Sequence, residues 1–161
     1  MVKHPKELGF SLGLVIRIGE PAFITKDTPD ASTVRDVVYV ALLAENSGPL
    51  EKGDALKIGQ AKGSLMSRWR GIVGLFQRRK LRNNEKTDRS KFLEVANGKE
   101  VSVWMKAAGK IEIPYAKGLT QSLFSTRGAE EEFLDQYYQP KLGIPLNREA
   151  TKKPSKFSEP N

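Results

Sequence analysis

The sequence predicts a single mixed domain, α/β of the α+β kind, with helices packed on a small antiparallel sheet. Three observations carry this. Apolar, strand-like runs at residues 36–44 and 55–60 flank a turn-rich loop, ENSGPLEKGD, and strands joined this closely pair most simply as antiparallel neighbours. Two further stretches, 64–76 and 128–139, repeat apolar residues at helical spacing. The 161 residues, 39% hydrophobic and 29% charged, suit one core rather than two.

In chain order, Phe10, Leu12, Leu14, Ile16 and Ile18 alternate with Ser11, Gly13 and Arg17, which predicts a strand within an N-terminal extension covering 1–35. AFIT and the loop KDTPDAST follow. DVVYVALLA is β-branched and almost wholly apolar, as a strand buried on both faces must be. ALKIGQ returns as its partner. Leu65, Trp69, Ile72, Val73 and Phe76 share one helical face, weakened by Gly71 and Gly74. Residues 77–90, QRRKLRNNEKTDRS, read as a basic insert that orders on a partner. KFLEVANG is a short helix ended by Gly98, EVSVWMKA alternates as a strand, and KIEIPY is a further strand or an edge piece stopped by Pro114. The helix at 128–139 carries Phe133, Leu134, Tyr137 and Tyr138 on its apolar side and should end at Pro140. The domain then closes near 147, and 148–161 is expected to be a disordered tail.

Charge narrows the partners. Between Lys57 and Lys91 lie eleven basic residues and two acids, so this stretch holds +9 of a net +8 and the remainder is near neutral. Such a concentration serves a phosphate backbone, although a solvated charged loop would read the same way. The absence of cysteine excludes disulfide scaffolds, thiolate metal sites and cysteine nucleophiles. Arg17 interrupts the early apolar run, no run approaches the roughly 20 residues of a membrane helix, and a cytoplasmic protein is expected.

The lone histidine, His4, lies near what should be a mobile end, which removes histidine-based catalysis. Carboxylate, phenol, Lys and Arg remain, and these suit phosphate chemistry with a hard metal on oxygen ligands. Glu130 precedes Phe133, Leu134 and Tyr137 by three, four and seven residues, so it faces the packed side of its helix, where a carboxylate needs a cation or donors. Helix-dipole complementation accounts for Glu131 and Glu132 better than for Glu130. Arg68 borders the buried stripe of its helix; it either pairs with a carboxylate or offers its guanidinium fork to phosphate. Tyr39 is core or a placed phenol. Lys57, between Ala55 and Gly59 on its strand face, is a cleft wall or a guard against edge pairing.

These pieces fall into an ordered set. VVY at 37–39, KIG at 57–59, LMSR at 65–68, Glu130 at a helix start and PLN at 145–147 resemble, in order and rough spacing, the motifs of the GIY-YIG nucleases over residues 36–147. The resemblance implies a sheet of about three antiparallel strands flanked by helices, cutting DNA with one divalent metal, magnesium or manganese. It implies that Tyr39 activates the attacking water, Arg68 holds the scissile phosphate, Glu130 binds the metal and Asn147 supports the site. Val37 stands where the family has its first glycine. Lys57 replaces the second motif tyrosine, as in a restriction-endonuclease branch, where its charge could lower the pKa of the phenol. Gln60 replaces a frequent basic residue. The insert resembles segments that grip duplex DNA in phage and restriction members, which implicates Lys62, Arg70, Arg78, Arg79, Lys80 and Arg82. Specificity would then come from the insert, the N-terminal extension or a homodimer. The departures at Lys57 and Gln60 leave a second reading open, a catalytically silent nucleic-acid-binding module; convergence of Tyr39, Arg68 and Glu130 on one cleft would separate the two.

Overall fold

The strand Val37–Leu43 sets the architecture, because six of its seven side chains are buried and both of its edges are paired. A computed structural model describes residues 2–19, 31–43, 48–78, 87–114, 120–124 and 126–146. After a 3-10 turn at Pro5–Leu8, the elements are β1 (Ser11–Ile16), β2 (Val37–Leu43), β3 (Ala55–Ala61), α1 (Leu65–Arg78), α2 (Thr87–Ala96), β4 (Val101–Ala107), β5 (Lys110–Pro114), β6 (Thr120–Phe124) and α3 (Arg127–Leu142). The main sheet runs β1-β4-β2-β3, with every pairing antiparallel, and β5-β6 forms a separate two-stranded ribbon. The expected three strands are therefore present as β2, β3 and β4, and the N-terminal strand is added beside β4.

Strand alternation divides the core in two. Val37, Tyr39 and Ala41 face Leu65, Trp69, Val73 and Phe76 of α1 and Phe92 and Ala96 of α2. Val38, Val40, Leu42 and Ile58 face Leu134, Tyr138 and Leu142 of α3. The sheet is thus the middle of three layers, with α1 and α2 on one face and α3 on the other. Alternation in β1 does not hold as the sequence suggests. A bulge between Leu12 and Leu14 changes the phase, so Leu14 and Ile16 join the α1 face while Phe10 joins the α3 face. Gly13 sits at this bulge, where a Cβ would come within 2.7 Å of Leu65 Cδ2 and 2.8 Å of Met105 Sδ.

Four other expectations are corrected. Helix α3 continues through Pro140 and stops at Gly143, whose φ of 61° is left-handed. A proline this close to the end removes one hydrogen bond but need not turn the chain. Phe133 is not on the packed side: it is 66% exposed, while Leu134 and Tyr138 hold the sheet contact. The basic insert is partly helical at its borders, since α1 runs to Arg78 and α2 begins at Thr87. His4 is buried and fixed rather than mobile. Its Nδ1 accepts from the Lys6 N–H at 3.0 Å, and its ring meets Trp104 edge-on at 4.6 Å. Strand β6 had no counterpart in the sequence reading.

The first and last described segments are tied to this frame. Tyr138 donates its hydroxyl to the Lys3 carbonyl at 2.8 Å, and Leu146 N–H donates to the Leu56 carbonyl on β3 at 3.0 Å. Burial pushes the Tyr138 phenol pKa well above the ordinary value near 10. A raised folded-state pKa means that this contribution is full below about pH 10, the unfolded value, and is lost as pH rises beyond it. Tyr138→Phe is expected to lower stability by about 1 kcal/mol, read as a lower urea midpoint at neutral pH.

Candidate active site

Tyr39 lies across from Gly59 on β3 and Met105 on β4. A Cβ at Gly59 would fall within 2.9 Å of Tyr39 Cε1 and closer still to its Cζ and hydroxyl, so the glycine is the floor on which the phenol rests. Trp69 of α1 covers the tyrosine edge-on, with ring centres 5.5 Å apart, and Phe92 of α2 meets Trp69 in the same way at 5.3 Å. Lys57 shares the Tyr39 face because its cross-strand partner is Ala41, and its Nζ stands 5.8 Å from the centre of the Phe92 ring. The four side chains Tyr39, Trp69, Phe92 and Lys57 therefore form one aromatic-cationic cluster. Its packing must offset an unpaired donor: Trp69 Nε1 is buried without an acceptor among the described residues, a cost of about 1–3 kcal/mol.

Arg68 precedes Trp69 in the first turn of α1 and is exposed. Arg70 and Lys62 are exposed as well. Lys62 follows β3, and its carbonyl accepts from Asp36 N–H at 3.0 Å, which fixes it at the end of the sheet where β2 starts. The side chain of Arg78 and residues Arg79, Lys80, Arg82 and Asn147 lie outside the described parts of the chain, as does the 148–161 tail.

Glu130 occupies the first turn of α3, whose N-cap Thr126 accepts from Ala129 N–H at 3.1 Å. The carboxylate does face the sheet, as its spacing predicted, and finds both a cation and a donor. Oε1 is 3.7 Å from Lys106 Nζ, and Oε2 accepts from Gly109 N–H at 3.3 Å. Lys106 is the direct cross-strand partner of Val38. Glu130 thus stands on the Val38 face, and Tyr39, one residue on, points to the opposite face. The expectation that Glu130 folds onto the same cleft as Tyr39 is corrected: the two share one end of the sheet but not one side. The cause is the α3 stripe, since Leu134 and Tyr138 pack on Val38 and Val40 and Glu130 lies one turn before Leu134.

Two residues at this end escaped the sequence reading. Lys106, the partner of Glu130, alternates with Trp104 and Ser102, which marked its strand face but not its ion pair. Arg127 Nε lies 3.6 Å from Asp36 Oδ1 and ties the start of α3 to the start of β2. Asp36 takes φ 54°, a conformation aspartate tolerates better than most residues. No three carboxylate or histidine side chains meet among the described residues. Glu130 is a carboxylate at this end that could take one position on a hard divalent cation. Beside it opens a cavity of about 360 Å³, walled by Phe10, Val38, Phe133 and Leu134, with Glu130 and Lys106 at its polar side.

This frame is a three-layer α+β domain with an antiparallel sheet between helices. Among solved structures it is similar to a mutant of bacteriophage T4 EndoII, with a TM-score of 0.51 and 15% identity over 86% of this chain and 95% of that one. A restriction endonuclease, HPY188I in complex with product DNA, overlaps more loosely, with a TM-score of 0.37 and 15% identity over 96% and 90% of the two chains. No family model matches the sequence, and no curated protein matches it significantly.

Proposed function

We propose that the chain is a divalent-metal-dependent endonuclease that hydrolyses phosphodiester bonds in duplex DNA. The observation that carries the reading is the Tyr39 phenol laid on Gly59, with Lys57 along the same strand face and Arg68 next to Trp69 in the first turn of α1. The fold it shares with a phage EndoII and the net charge of +8 support it. On this reading Arg68 would hold a phosphate by its guanidinium fork, and the buried Tyr39 phenol would orient or deprotonate the attacking water. Lys57 supplies positive charge beside developing anionic charge. Glu130, at the same end of the sheet but on its α3 side, would hold magnesium or manganese, and the bound metal would polarise a phosphate only where the strand passes round that end. Lys62 and Arg70, with the basic insert, would neutralise flanking phosphates. Two copies acting together would cut both strands.

Supercoiled plasmid incubated with Mg²⁺ should be nicked or linearised, and EDTA should stop the reaction. Tyr39→Phe keeps the ring on Gly59 and removes only the hydroxyl, so cleavage should fall by about a hundredfold or more while the protein stays folded, with a stability loss of at most about 1–2 kcal/mol. Undiminished cleavage by that variant would remove Tyr39 from the chemistry.

The placement of Glu130 on the opposite face favours a second reading, a catalytically silent nucleic-acid-binding module of the same fold. It is distinguished by salt-dependent DNA binding without cleavage under any divalent metal.

A further inference from the structure

The cavity beside Glu130 is not used by the Tyr39 cluster, and its chemistry is specific. Its walls are apolar or aromatic, from Phe10, Val38, Phe133 and Leu134, and among the described residues its charged lining groups are Glu130 and Lys106. Phe133 is the one large apolar side chain that the described surface leaves strongly exposed, at 66%. It lies one helical turn after Glu130 and faces away from the stripe that packs on the sheet. A phenylalanine at the mouth of a cavity about 360 Å³ in size suits a flat, partly aromatic guest with a polar edge. A guest attached to phosphate suits the surroundings: Lys106, though 3.7 Å from Glu130, is 45% exposed and can turn to a phosphate, Arg127 opens the same helix in a pair with Asp36, and Lys62 is exposed at the same end of the sheet.

We infer that this cavity receives a single unstacked nucleobase of the bound strand, stacked on Phe133, with Lys106 on the adjoining phosphate. The inference rests on the reading of the chain as a DNA-binding nuclease, and it adds a base-holding subsite on the α3 face. Such a subsite gives the protein a grip on DNA that counterion release alone does not supply, because every base has a face to stack. It also predicts a preference for strands whose bases are already free, since unpairing then costs nothing.

The test uses the full chain in EDTA, so that cleavage plays no part. Affinities are measured for an oligothymidylate and for an abasic sugar-phosphate oligomer of equal length and charge. The parent should bind the base-bearing strand about tenfold more tightly. Phe133→Ala, a change at an exposed position, should abolish that preference while leaving the salt dependence of binding unaltered. Phe133→Trp should restore it. Equal affinity of the parent for the two oligomers overturns the inference, as does a Phe133→Ala variant that retains the preference. A protein that sediments as a dimer and becomes a monomer on Phe133→Ala also overturns it, because the face is then covered by a second copy. Plasmid cleavage is scored separately: base preference without cleavage rejects the nuclease reading and keeps the subsite, and cleavage without base preference does the reverse.

Discussion

Glu130→Gln is expected to reduce Mg²⁺-dependent plasmid cleavage by about a hundred- to a thousandfold, the equivalent of several kcal/mol of metal-supplied stabilisation. The substitution is chosen because it changes charge and little else. The amide oxygen can still accept from Gly109 N–H, and the length of the side chain is kept. The ion pair with Lys106 spans 3.7 Å, with the lysine side chain 45% exposed, so its loss should cost at most about 1 kcal/mol. DNA affinity in EDTA should hold or rise slightly, since one negative charge leaves a cationic rim. Cleavage at the parental rate would show that Glu130 only anchors Lys106 and the Gly109 backbone, and that any metal is held elsewhere. The outcome also decides between the two functional readings, because Glu130 and Tyr39 lie on opposite sides of β2.

Gly59→Ala is expected to cause the largest loss of stability from the smallest change of composition. Elsewhere in a strand, alanine is favoured over glycine by about 0.5–1 kcal/mol. Here the added methyl meets the Tyr39 ring, and Trp69 blocks the ring from the other side. Overpacking of this kind costs about 1–3 kcal/mol. The sign of the effect should therefore depend on residue 39. In a Tyr39→Ala background the methyl enters the space left by the ring, and Gly59→Ala should become neutral or stabilising. Urea midpoints of the two single variants and the double variant give the coupling directly. Additive midpoints would mean that the tyrosine does not rest on the glycine.

Much of this frame was legible because local periodicity and burial agree. The run at 37–43 is apolar on both faces because both faces are covered, and α1 shows its stripe because one side alone is buried. Lys57, Tyr39 and Gly59 share a face by alternation, which needs only the register of a short antiparallel pair. What stayed hidden depends on three-dimensional context. The bulge at Leu12–Leu14 shifts the phase of β1 without any change in its apolar pattern. Phe133 looks like a core residue by spacing, yet the α3 stripe is narrow and Leu134 and Tyr138 fill it. The side of the sheet on which Glu130 falls follows from the path between β4 and α3, and nothing in the helix itself encodes that path. Asn147 and the arginines of the insert lie beyond what the structure describes.

The bond from Tyr138 to Lys3 joins residues 135 positions apart, and the helix that makes it also covers Val38, Val40, Leu42 and Ile58. One whole face of the sheet thus waits for α3 to be synthesised. During translation the α1 side can form early from neighbouring segments, while the α3 side stays an open apolar surface until residue 142 or beyond has left the ribosome. A nascent chain of this protein should therefore be a client for chaperones until late. Because Glu130 arrives on that same helix, no fragment ending before it can carry the complete set of charged groups at the sheet end. The α3 face of the sheet and the charged groups that α3 brings to it are therefore completed together.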